Sequence, residues 1–292
     1  MSRSAMVYTV LCAVFTLCAA DRSFGEERTL RERLAGFHVG AHQGGYQFSD
    51  SNTIERFQKA EAEGADIVET DIQVSSDGVP FLFHDAYLNP DTACSGPFSS
   101  TSAAVIEHCN LVGLHHGAER FEQALAWSRG RVVIDAEFKT SAAIRPAIDL
   151  VRKYSAYEWV YFQTGDGTQL YDEARAYDPY VALEVVPSGK DAQLTLDRLL
   201  AHDDPRLISV QLHPDLATSV NLVTIARAGK LISADSFRFG TEHRWGIWPF
   251  RAAFCTGVYQ LGINIAVTNV PDACVVQRDA ARAQFLSFSF TH

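Results

Sequence analysis

Glu69 and Asp71 stand two residues apart at the end of the apolar run ADIV. Side chains alternate along an extended chain, so both carboxylates face one side. Glu137 ends a second run, in IDAEFK, and Lys139 follows two residues on. Three convergent carboxylates form the hard-oxygen set that suits Mg²⁺ or Ca²⁺. Acids at strand ends also pair with Lys or Arg, and spacing alone leaves both readings open. His42 closes VGAH just before Gly44-Gly45, a pair that lets backbone approach a ligand closely. His84 closes FLFH, with Asp85 next to it to orient the ring. Two histidines beside three acids can supply a proton acceptor and a proton donor near neutral pH. His38, His108, His115, His116, His202, His213 and His243 share no such pattern, and are expected at the surface or in support of the site.

The elements that must position these groups follow from alternation. Strand-like runs FHVGAH, ADIVETDI, VPFLFHD, RVVIDAEFK, WVYFQT, YVALEVV, LISVQL, KLISAD and NIAVTN are separated by helical patterns. These include TIERFQKAEAEG, AAIRPAIDLVRKYS, GTQLYDEARAY, DAQLTLDRLLAHD and ATSVNLVTIARAG. Strands alternating with helices imply βα units and a parallel sheet. Eight or so such units predict an α/β fold of the closed (β/α)₈ type, whose sites lie at the C-terminal ends of the strands. The helix over residues 53–64 is expected to be capped by Asn52 and ended by Gly64. No linker or repeat divides residues 36–285, which are read as one domain.

The 292 residues are 47% hydrophobic and 21% charged, the profile of a soluble globular chain. With 25 Lys plus Arg against 35 Asp plus Glu, the net charge is -10. That balance disfavours nucleic-acid and anionic-membrane binding, both of which run on basic contacts to phosphate. Any phosphate must therefore be handled by a local site. Residues 1–25 read as a secretory signal peptide, with Arg3 before an apolar stretch and cleavage expected near 20–25. The stretch is shorter than the roughly 20 residues of a membrane span, no lipobox precedes Cys12 or Cys18, and no stable span is expected later. A secreted or periplasmic protein is expected. Cys94, Cys109, Cys255 and Cys274 then remain, which suggests two disulfides with three allowed connectivities. The local choice is Cys94–Cys109 with Cys255–Cys274.

The stretch AHQGGYQFSDSNTIERFQKAEAEGADIVETDIQVSSDGVPFLFHDAYL resembles the glycerophosphodiester phosphodiesterases. That family shows a His-Arg-Gly opening, then Glu-Asn-Thr, Glu-x-Asp and His-Asp. The likeness continues through DAEFK and LGINIAVTNVPD, so that it covers roughly residues 37 to 275 in one order. The resemblance implies a TIM barrel in which Glu69, Asp71 and Glu137 bind a divalent metal, Mg²⁺ or Ca²⁺. It implies His42 and His84 as the acid–base pair, and Lys139 as a phosphate contact. The implied substrate is a small phosphodiester, cleaved to glycerol 3-phosphate and an alcohol.

Three positions depart from the family pattern: Gln43 replaces its Arg, Ser51 its Glu, and Asn269 an Asp near the last strand. If Gln43 still faces phosphate, a neutral amide should bind it roughly tenfold more weakly than a guanidinium, and Gln43→Arg should raise kcat/KM. Two other readings stand beside hydrolysis. One is a lyase giving a cyclic phosphate, as in related phospholipase D toxins. The other is a barrel that binds a phosphodiester or sugar phosphate without turning it over.

Overall fold

The computed structural model describes residues 29–45, 50–165, 168–236 and 251–289; the expected signal peptide lies outside them. Eight parallel strands close into a barrel: β1 (His38–Ala41), β2 (Ile67–Val74), β4 (Val133–Phe138), β5 (Val160–Thr164), β6 (Leu183–Val185), β7 (Leu207–Gln211), β8 (Leu231–Asp235) and β9 (Ile265–Thr268). β1 pairs with both β9 and β2, which leaves the barrel without an open edge. Helices α2 (Ile54–Ala62), α4 (Phe121–Ser128), α5 (Ser141–Lys153), α6 (Gln169–Tyr177), α7 (Ala192–Leu200), α8 (Ser219–Arg227), α9 (Arg251–Gln260) and α10 (Pro271–Ser289) lie in the crossovers and after the last strand. Their apolar faces and the outward side chains of the strands form the main core, with Phe57, Ile148 and Leu196 buried in it. Among the described residues, no helix is long and apolar enough to cross a membrane.

The run VPFLFHD is a strand of another kind. β3 (Pro80–Leu82) pairs antiparallel with β2, with Ile72 opposite Leu82. Only a short turn separates the two, and a parallel connection needs a crossover of a dozen residues or more. The hairpin turns the chain back over the end of β2 and opens an insertion that carries α3 (Ala103–His108). Phe81, Phe83, Leu88, Phe98 and Ile106 form a second small core there, and Phe83 stacks on Phe98 with ring centroids 4.9 Å apart. Cys94 and Cys109 are bonded inside this insertion, and Cys255 bonds Cys274 between α9 and α10, the local pairing expected from the sequence. Closing a loop of about 15 residues contributes about 3 kcal/mol in the chain-entropy picture.

Two local expectations are corrected. The cap of α2 is Thr53, whose hydroxyl accepts from the Arg56 N–H at 3.2 Å; Asn52 points elsewhere. Gly64 does end the helix, at φ +93°. His38, expected at the surface or near the site, is 4% exposed at the opposite end of the barrel. There Arg278 and Arg282 of α10 reach Asp66 at 2.7 and 3.0 Å, and Asp66 also accepts from the Val39 N–H at 2.9 Å. This clasp ties the last helix to the start of the first two strands. Above it, α1 (Leu30–Arg33) and Leu34 plug the barrel against Ile67, Val133, Ile208 and Ile265.

Candidate active site

Strand pairing brings the acids together. In the β2–β4 ladder Glu69 lies opposite Asp135 and Asp71 opposite Glu137, so two rows of carboxylates share the barrel interior. Glu69, Asp71 and Glu137 each offer an oxygen within 4.8 Å of the others. Asp71 is 1% and Glu69 3% exposed. Burial, and then repulsion from Asp71, Asp135 and Glu137, pushes the Glu69 carboxyl well above its ordinary value. Burial also raises Glu137, although Lys139 opposes it. Burial alone would raise Asp71 too, but Lys139, His84, Asn52 and His42 together hold it below its ordinary value.

One ammonium stands inside the cluster. Lys139 Nζ lies 3.1 Å from Asp71 Oδ1 and 3.2 Å from Glu137 Oε1. Burial works against its charge, but the two carboxylates outweigh it and raise its pKa. A single Lys does not balance Glu69, Asp71, Glu137 and the Asp135 beneath them. Oxygen-only donors at this spacing suit a hard divalent cation, and the cluster could hold one.

The histidines arrive by different routes. His42 follows directly on β1, where Asn269, one residue past β9, meets its Nδ1 at 3.0 Å. Its Nε2 lies 3.9 Å from Glu69 Oε2. Burial lowers the His42 pKa more than Asp71, Asp235 and the bond to Asn269 raise it. His84 is set by the hairpin: the Phe83 N–H donates to the Asp71 carbonyl at 2.9 Å, and Gln73 Nε2 donates to the His84 carbonyl at 3.2 Å. Its Nδ1 is hydrogen-bonded to Asp85, as the adjacent pair suggested.

Gln43 faces the acids. Its backbone N–H donates to Glu69 Oε2 at 2.8 Å, and its amide Nε2 donates to Asp71 Oδ2 at 2.7 Å. Asn52, read from the sequence as a helix cap, donates to the same Asp71 oxygen at 2.8 Å. Neither contact has a sequence signal, because both depend on the path of the loop between β1 and α2. Gly44, at φ +81°, is required on that path: a Cβ there would come within 2.8 Å of Phe57. Opposite the acids, Gln163, Glu184, Gln211 and Asp235 form a buried chain of hydrogen bonds across β5 to β8. Single polar residues inside apolar runs were its only trace in the sequence.

The glycerophosphoryl diester phosphodiesterase family model matches residues 42–213, which include His42, His84, Lys139 and all three clustered acids. Over 88 residues, 30% of this chain, the protein is 40% identical to human glycerophosphoinositol inositolphosphodiesterase GDPD2. That match spans only 16% of the human protein. A glycerophosphoryl diester phosphodiesterase from Parabacteroides distasonis superimposes with a TM-score of 0.71 at 16% identity, covering 87% of this chain and 93% of its own. A phosphodiesterase from Oleispira antarctica, solved in complex with the product sn-glycerol-3-phosphate, gives 0.67 at 18% identity and covers 86% of this chain and 100% of its own. At such identities the structural likeness speaks for the barrel alone, whereas the family model spans more than half of the chain. The chain belongs to the glycerophosphoryl diester phosphodiesterase family.

Proposed function

We propose that the protein hydrolyses glycerophosphodiesters to glycerol 3-phosphate and an alcohol, using His42 and His84 beside a divalent cation held by Glu69, Asp71 and Glu137. The observation that carries this reading is the convergence of the three acids within 4.8 Å, with His42 Nε2 3.9 Å from one of them. The product bound by the Oleispira antarctica relative supports the substrate class. A bound Mg²⁺ or Ca²⁺ would supply positive charge to a phosphoryl oxygen and polarise the phosphorus.

The chain's own groups then divide the work. Lys139 holds its ammonium inside the cluster, between Asp71 and Glu137, and neutralises a phosphate oxygen. Asn269 Oδ1 can only accept, so His42 carries its proton on Nδ1 and Nε2 is the unprotonated nitrogen. With burial keeping the ring neutral, Nε2 takes the proton of the attacking water. His84, oriented by Asp85, gives a proton to the departing alkoxide. Export through the signal peptide belongs to the same proposal, and two disulfides in one chain support an oxidising compartment.

The test is release of glycerol 3-phosphate from several glycerophosphodiesters, with and without a chelator, with phosphorus NMR of the products. Chelation should abolish release, and His42→Ala or His84→Ala should lower it by about 10² to 10⁴. A cyclic phosphate product would favour attack by an internal hydroxyl. Turnover of no diester under any cation would leave a binding barrel.

A further inference from the structure

Gln43 and Asn52 are joined before they reach the acids. The Asn52 N–H donates to the Gln43 carbonyl at 3.0 Å, and both residues adopt left-handed backbone, at φ 50° and 56°. Their side-chain amides converge on one atom, Asp71 Oδ2, at 2.7 and 2.8 Å. The orientation of the Asn52 amide is fixed by its other end. Oδ1 accepts from the Thr70 hydroxyl at 2.7 Å and from the Asp71 N–H at 3.1 Å, so Nδ2 must be the donor to Oδ2. Both residues are buried, at 8% and 5% exposure.

From this we infer that Gln43 and Asn52 are positioning residues that fix the Asp71 carboxylate by saturating Oδ2, so that Oδ1 alone faces Glu137 and the bound cation. Gln43 extends the same hold to Glu69 through its backbone N–H. Two neutral donors immobilise the carboxylate without adding positive charge to a site that must attract a cation. Lys139 meets Asp71 only at Oδ1, which agrees with that oxygen being the one turned to the cluster. Gln43 is thus not a phosphate contact, and the replacement of the family's Arg changes how the acids are held. This inference rests on the cluster being a cation site.

The experiment uses the purified full chain. Calorimetric titration with Mg²⁺ and with Ca²⁺ is run on the parent, Gln43→Met and Asn52→Gly, and kcat and KM are measured at saturating cation. Glycine keeps the left-handed backbone at position 52 while removing the amide. Removing groups that orient metal ligands typically costs about 10- to 100-fold in metal affinity, and that loss is expected in both variants. KM for the diester at saturating cation should stay within about twofold, because uniform substrate binding is untouched. Parent-like cation affinity with a raised KM in Gln43→Met would overturn the inference and return Gln43 to the phosphate. If the parent itself binds no cation, the cation-site reading fails first and this inference with it. Should Asn52→Gly melt at the assay temperature, Gln43→Met alone decides the matter.

Discussion

His42 and Asn269 meet across the seam that closes the barrel, Nδ1 to Oδ1 at 3.0 Å, although they stand 227 positions apart in the chain. Their strands are neighbours in register, Ala41 opposite Thr268, so the residue after each strand faces the residue after the other. A neutral acceptor orients the ring and favours its charged form by less than burial disfavours it.

Asn269→Asp is therefore expected to raise the His42 pKa, because a carboxylate there stabilises the imidazolium. His42 acts unprotonated in the proposed reaction, so the acidic limb of the kcat/KM–pH profile should move to higher pH, by about one unit. An unmoved limb would remove His42 from the role of proton acceptor.

In the proposed cation site, the raised carboxyls of Glu69 and Glu137 set a pH dependence for binding. A folded pKa above the unfolded one gives stability that is complete below the ordinary carboxylate range and is lost as pH climbs through the raised value. A cation offsets that loss and displaces the protons. The rise in Tm on adding Ca²⁺ or Mg²⁺ to chelated protein should be larger at about pH 7.5 than at about pH 5. Equal shifts at both would show that the two acids do not bind the ion.

At the far end of the barrel the sign reverses. Burial works to raise the Asp66 carboxyl, but His38, the Val39 N–H and Arg278 hold it well below the usual carboxylate range. Its contribution is present above the unfolded pKa and fades as pH falls through the folded one. Asp66→Ala leaves Arg278, whose side chain is 8% exposed, without its main counter-charge. A loss of about 3–5 kcal/mol in chemical denaturation is expected, with kcat of the folded protein unchanged. A loss below about 1 kcal/mol would mean that the other contacts of α10, the Cys255–Cys274 bond among them, hold it without the clasp.

Legibility followed locality. Glu69 and Asp71 were readable because period-two alternation fixes their shared face, and Glu137 because it ends a run of the same kind. The disulfides were readable because each closes a short loop. His84 was legible as a residue, but not in its route: β3 looks like any other apolar run, and only the shortness of its turn marks it as a hairpin. Asn52 precedes a helix and has a capping side chain, and Thr53 competes for that role and wins. What then frees Asn52 for Asp71 is a left-handed backbone that pattern reading does not reveal. His38 shows the converse, since nothing in its neighbours announces a clasp formed with residues more than two hundred positions away.

Gln43→Arg tests the loop that replaced the family's charges. The sequence alone suggested a gain, from a guanidinium added opposite phosphate. The structure places Gln43 Nε2 2.7 Å from Asp71 Oδ2 in a nearly closed setting. An arginine there would form an ion pair with Asp71 and set a fixed positive charge against the cation. Cation affinity should fall about tenfold or more, and kcat/KM with it, recoverable in part by raising the cation concentration. The family's Arg comes with a Glu where this chain has Ser51, next to Asn52, so the two departures remove one charge of each sign. Adding both back, as Gln43→Arg with Ser51→Glu, should restore more activity than the product of the single effects, a coupling readable in a double-mutant cycle. Additive losses would show that the two positions do not share a charge balance. A gain from Gln43→Arg alone would show that the side chain turns away from Asp71 toward the substrate.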